Sequence, residues 1–289
     1  VISKISTDID IIADNKEISY TKTTFDSAIQ HLNDSQIDIA ITDREMNATE
    51  KASVPGWNEY IIASEGIAII INSNNTVENL TINELRGIYN GSISNWTEVG
   101  GINQTIRVIN REGIAETRKF FVDAVMDGNN SAFRTDDHIL TMTSDLIVKN
   151  IVNADNSSIG YIRYDTVLPD YVKAIGLGPE NTAVDITETT IQSGNYRISR
   201  DIYLYTIGKP IDFKEVFIAY IQSSFGQAVL DEEHFIPTGP IGFRPDDLTG
   251  YEPPDDEEDD DEEEDDDTTN TTDDDTTNTT DDTTSPDGD

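Results

Sequence analysis

No cysteine occurs among the 289 residues, which excludes disulfides and thiolate metal sites. Basic residues are scarce. Against 57 Asp and Glu stand 19 Lys and Arg, for a formal net charge of −38. That balance argues against a nucleic-acid partner, because phosphate backbones are held by clustered Lys and Arg. No apolar run approaches the roughly 20 residues of a membrane-crossing helix, and no leader peptide is visible. The three histidines, His31, His138 and His234, lie far apart and lack the spacing of metal ligands. No nucleophile elbow, P-loop or paired-carboxylate motif stands out. A non-enzyme without metal or cofactor is expected.

The charge that is present is uneven. Residues 246–289 hold 23 of the acids and no Lys or Arg, leaving 34 acids against 19 bases upstream, a net of −15. This tail is built of acid runs and Asp-Thr-Asn repeats with almost no apolar residues beyond Leu248 and Tyr251. It cannot bury enough surface to offset the entropy of ordering, and its like charges extend it. A disordered solvated spacer is expected over 246–289. An EF-hand is excluded because the acid runs lack the glycine of that loop's sharp turn. Asn-x-Ser/Thr sequons start at eleven asparagines between Asn33 and Asn278. Two readings stay open: chance in an Asn-, Ser- and Thr-rich chain, or a glycosylated surface protein.

Residues 1 to about 247 read as α/β. Ile2, Ile5, Ile9 and Ile12 fall on one helix face, so the chain begins in or just before a helix, with something expected upstream of Val1. A strand is predicted over 17–21 and a helix over 25–34. 37-IDIAI-41 and 66-GIAIIIN-72 read as buried strands. Thr81 and Glu84 form a capping box that opens a helix. Strand 106–110, helix 116–126, helix 144–153, strand 158–164, strand 202–207 and helix 212–229 follow. This alternation predicts mostly parallel sheets with helices on both faces.

Within this pattern, 110-NREGIAETRKFF-121 stands out. Arg111 and Thr117 flank a loop that enters a helix, and the free N–H groups and dipole of a helix N-terminus favour an anion. Glu112 and Glu116 sit in the same stretch.

Several segments together carry a resemblance. 65-EGIAIIINSNNTVENLTINELRGIYNGSISNWTEVGG-101 has an apolar strand, a helix and a Gly-x-Ile-x-x-Trp turn at Gly91, Ile93 and Trp96, then Glu98, Val99, Gly100 and Gly101. With 111-REGIAETRKFF-121, 158-SIGYIRY-164 and 193-SGNYRISRDIYLYT-206, it resembles the phosphate-binding proteins that serve ABC importers. Arg197 stands where that family usually has proline. The match runs collinearly over about residues 1–240.

The resemblance implies a two-lobed periplasmic-binding-protein type II fold with a ligand cleft between α/β lobes. One lobe would be 1–66 with 197–245, lacking its first strand and loop, and the other 67–196. Crossovers would lie near 64–69 and 194–201. It further implies an extracellular or cell-surface monomer that captures phosphate or another small anion and hands it to a membrane ABC permease. The alternative is a surface-attached structural or sensory relative with a degenerate pocket or a different small ligand.

The family's anion site has four pieces. The first, a Gly/Thr-rich loop, would lie before Val1. The second, a Gly-Ser-Gly-type loop, matches Thr24, Phe25 and Asp26, with Phe25 at the serine and the Thr24 hydroxyl one residue away. The third is Asp43, with Thr42 and Arg44 beside it; a carboxylate there would accept a hydrogen bond from protonated phosphate and reject sulfate. The fourth is the loop of Arg111 and Thr117, whose Gly-Ser-Gly centre is replaced by Ile114, Ala115 and Glu116. Arg111 would grip the anion through its fork or pair with Glu112 or Glu116. Ala115 removes a hydroxyl donor. Glu116 brings a carboxylate into an anion loop, softened by its place in the first helical turn.

Overall fold

The computed structural model describes residues 18–164, 172–179 and 181–239. The helix expected over 2–13 and the acidic tail lie outside the described residues. One strand organises the rest. β2 (Trp57–Asn72) is 16 residues long, and its two halves serve two parts of one curled sheet. From Trp57 to Gly66 it pairs antiparallel with β9 (Ser199–Ile207), and from Ile67 to Ile71 it pairs antiparallel with β6 (Ser158–Arg163). The change of partner falls at Gly66, where a Cβ would come within 2.6 Å of the Ile191 side chain. A side chain there would displace Ile191 from its place against the strand.

On the first side, β1 (Ala40–Thr42) adds to the outer edge of β9, and β10 (Ile236–Pro237) pairs with β2. On the second side, β4 (Arg107–Arg111) lies parallel to β6 and to β5 (Ile139–Met142), while β7 (Val172–Ala174) pairs antiparallel with β2. A separate parallel pair joins β3 (Asn79–Leu80) to β8 (Gly176–Leu177). The sheet is therefore mixed, not mostly parallel as the alternation predicts. β9 runs antiparallel along the front half of β2 and β6 along the rear half, pairings that period counting cannot reveal.

Three apolar clusters match this division. One gathers buried residues from Ile67 to Ile198, with Ile236. The other two draw on residues up to Ala63 and from Ile202 onward. The first is seeded by aromatics: Phe121 stacks on Tyr161 with centroids 4.1 Å apart, and Tyr89 tilts against both. Trp96 is fully buried and donates its indole N–H to the Ser157 carbonyl. Trp57, at the other end, is only partly buried and lies under the Lys51 ammonium at 4.7 Å.

The helices begin where their caps lie. α1 (Phe25–Asn33) is capped by Thr24, and α2 (Ala48–Ser53) by an Asn47–Glu50 capping box. The box expected at Thr81 and Glu84 opens α3 (Ile82–Asn90), which ends at Gly91 with φ 86°. There the left-handed backbone favours glycine and closes the helix. A 3-10 turn over Trp96–Val99 follows under an Asn95–Glu98 box. α4 (Glu116–Val125), α5 (Asp145–Ala154) and α6 (Glu188–Gln192) pack on the larger cluster. Several sequon asparagines have structural roles: Asn47 and Asn95 cap, while Asn90 and Asn129 accept from Ser92 and Ser131.

Two further expectations shift. Residues 18–24 are irregular rather than strand; Ile18 packs on a core but Tyr20 is 64% exposed. The helix expected over 212–229 is two, α7 (Phe213–Gln222) and α8 (Ser224–Glu232). Ser223 ends one and caps the other, and a Cβ on Gly226 would lie 2.1 Å from the Tyr220 carbonyl. Among the described residues no helix is long and apolar enough to cross a membrane.

Candidate functional site

Three of the expected pieces meet. β1 ends in the turn Thr42–Arg44. Thr42 is buried, and its hydroxyl donates to the Arg44 carbonyl at 2.9 Å. Arg44 turns toward the start of α1: its guanidinium covers the Phe25 ring at 3.3 Å and approaches Asp26 at 3.7 Å. It is held from behind by Glu50 at 2.7 and 2.9 Å. That bond, with the Asn47 N–H, draws the Glu50 carboxyl down to about 2. Thr24 spends its hydroxyl on the cap, 3.3 Å from the Ser27 N–H and 3.0 Å from the Ser27 hydroxyl.

Asp43 faces α4. Its Oδ2 accepts from Arg200 at 2.6 Å and from Lys119 at 3.4 Å. Partial burial opposes its ionisation, but Arg200 and Lys119 outweigh that and hold the carboxyl below the usual aspartate range. Arg200 is itself clamped. It donates to Glu65 at 2.6 Å and stacks over the Phe120 ring of α4 at 4.2 Å. Thus β1, β2, β9 and α4 share one charge cluster. A second link runs from Glu116, in the first turn of α4, to Lys22 ahead of α1. The Glu116 carboxylate is half exposed and engaged by that ammonium.

Ala115 is the N-cap of α4 and offers no side-chain cap. The first N–H groups of such a helix have no intrahelical acceptor, so they remain open to an anion. Thr117 is buried in that same turn.

Arg111 is placed differently. It ends β4, buried, and its guanidinium turns onto the β5–α5 connection. Nε donates to the Met142 carbonyl at 3.3 Å and Nη2 to the Thr143 carbonyl at 3.0 Å. Nη1 pairs with Asp145, in the first turn of α5. Its ion-pair partner is Asp145, carried to it by the parallel register of β4 and β5; Glu112 adds only a Coulombic attraction, and Glu116 pairs with Lys22. Burial draws its pKa below the ordinary arginine value. Behind it, Asn110 accepts from the Tyr161 hydroxyl at 2.6 Å and from the Arg111 N–H at 2.9 Å. Burial raises the Tyr161 phenol to about 12.

Lys22, Lys119, Arg200 and Asp145 escaped the sequence reading. Arg200 lies within 193-SGNYRISRDIYLYT-206, yet nothing local ties it to Asp43, 157 positions away. A separate cleft of about 530 Å³ lies beside Ser64, Gln192 and Thr238. Its charged lining is Glu59 and Asp201, the wrong sign for an anion.

Comparison with known proteins gives concordant matches. A family model described as a PBP superfamily domain matches residues 9–224. Phosphate-binding protein PstS of Bacillus subtilis is 25% identical over 215 residues, spanning 73% of this chain and 68% of the relative. PstS of Borreliella burgdorferi is 28% identical over 238 residues, spanning 78% and 83%. The crystal structure of an ABC-type phosphate transport receptor from Vibrio cholerae superposes with a TM-score of 0.66 at 26% identity, covering 81% of this chain and 94% of that one.

Proposed function

This chain belongs to the PBP superfamily, and on that premise we propose that it captures phosphate outside the cell for an ABC importer. The relatives named PstS are phosphate-binding proteins, and the Vibrio cholerae neighbour is a phosphate transport receptor. The observation that carries the reading is the meeting of Asp43 with the first turns of α4, bridged by Lys119. Residues 1–66 with 197–245 form one lobe of this reading and 67–196 the other, so the bridge spans the cleft.

Phosphate between them takes the open N–H groups of Glu116 and Thr117, with the Thr117 hydroxyl beside them. Asp43, held ionised by Arg200, accepts a hydrogen bond from the O–H that phosphate carries and sulfate lacks. Thr42 and Thr24 shape the facing rim, and Arg111 fixes the loop from behind. The protein works as a monomer at the cell surface, with a membrane permease as its partner and no nucleic acid. It binds and releases; no bond is made or broken.

Isothermal titration of the full chain tests this. Phosphate gives heat and raises the melting temperature, while sulfate does neither. Absence of both effects at millimolar phosphate overturns the reading. The engagement of Arg111 by Asp145 favours a second reading, a surface relative with an altered pocket, and that negative result is its signature.

A further inference from the structure

We propose that Lys119 is an anion-binding residue of this site, a redirectable cation that offsets the negative charge Glu116 brings into a loop whose centre is Ile114, Ala115 and Glu116 where the resembled family has glycine-serine-glycine. The inference rests on the phosphate-binding reading above and names the group that makes the altered loop workable.

Charge balance leads to it. Arg200 sits between two carboxylates, Asp43 at 2.6 Å and Glu65 at 2.5 Å, and its side chain is only 18% exposed. It is fixed and neutralised. Arg111 is likewise spent on Asp145 and two carbonyls. Lys22 is engaged by Glu116. Lys119 is different. Its side chain is 61% exposed, and its contact with Asp43 is long, at 3.4 Å. Asp43 keeps Arg200 whether or not Lys119 stays.

An arriving anion adds negative charge to a cluster that is balanced without it. Lys119 stands one turn along α4 from Glu116, on the helix whose open N–H groups face the ligand. Moving its ammonium from Asp43 to the anion costs one weak contact and leaves Asp43 free to accept a hydrogen bond from the ligand's O–H. A lysine suits this role, because its ammonium is a compact charge on a flexible stem. The move also explains how a loop carrying Glu116 can hold a like-charged ligand: the ammonium screens the two from each other.

The test is phosphate titration of the full chain, wild type against Lys119→Met and Lys119→Arg, at low and high salt. Lys119→Met weakens phosphate binding at least tenfold at low salt. Its dissociation constant also depends less on salt than the wild type's, since one partly exposed charge pair is gone. Lys119→Arg stays within about threefold of wild type, and all three proteins melt alike because the side chain is exposed. A Met variant within twofold of wild type, with the same salt dependence, overturns the role of Lys119 and leaves phosphate binding standing. If wild type gives no heat with phosphate, both fall.

Discussion

Arg111 and Lys119 lie on the same strand–loop–helix unit, and the fold treats them oppositely. Arg111 is buried, with Nε and Nη2 donating to carbonyls of the β5–α5 connection and Nη1 in an ion pair with Asp145. Lys119 is exposed and holds Asp43 by one long contact. A buried cation must keep its partners, because leaving it uncompensated costs far more than its pairing gains. An exposed cation is held weakly and can be redirected. Resemblance assigns the anion to the arginine; in the structure that guanidinium contacts the β5–α5 connection, while the lysine is exposed beside Asp43.

The sharpest way to break this contrast is Asp145→Ala. It strands the Arg111 guanidinium in a buried position and should lower stability by about 3 kcal/mol, read from denaturant unfolding. A loss below about 1 kcal/mol would place Arg111 in contact with water and erase the difference from Lys119.

Next in size is Asp43→Asn, which keeps shape but removes the charge that orients Arg200 and, in the proposed site, accepts a hydrogen bond from the ligand's O–H. Phosphate affinity should fall on the order of tenfold or more, measured by titration; unchanged affinity would remove Asp43 from the site. Glu116→Gln should move stability by no more than about 0.5 kcal/mol, since its pair with Lys22 is exposed. Phosphate should then bind a few-fold more tightly, because a like charge has gone. Weaker binding would mean that the carboxylate helps order the loop.

The smallest effect is in pH. Asp43 has a lowered folded-state pKa, so its ionised form stabilises the fold above the unfolded value of about 3.9. That contribution disappears as pH falls through the lower folded value. The stability gap between wild type and Asp43→Asn should therefore hold across neutral pH and narrow only in acid, below about pH 4. A gap that closes between pH 5 and 7 would mean the pKa is raised instead.

Much of the frame was legible because it is local. The Thr81–Glu84 box, the left-handed Gly91 and the apolar run into Asn72 are each set by a few neighbouring residues. The front half of β2 was not legible. Asn58, Glu59 and a bulge near Ile61 interrupt its alternation, and pairing with β9 makes it a strand. The break at Ser223 was also hidden, since a serine inside an apolar helical pattern does not announce a cap. Order in the chain brings out the loop of Arg111 and the turn of Asp43 as candidates. It does not bring out their ionic partners, because Asp145 reaches Arg111 through strand register and Arg200 reaches Asp43 across the sheet.

The two tryptophans divide between the cores. Trp96 is sealed within the cluster built from 67–198, while Trp57 packs partly buried on a cluster from the other half of β2, beneath an ammonium. Light absorbed by the first is emitted from a dry, rigid surrounding; light absorbed by the second is emitted near water and charge. The chain thereby carries an optical reporter on each side of its long shared strand, and replacing either indole by phenylalanine leaves the other to signal alone.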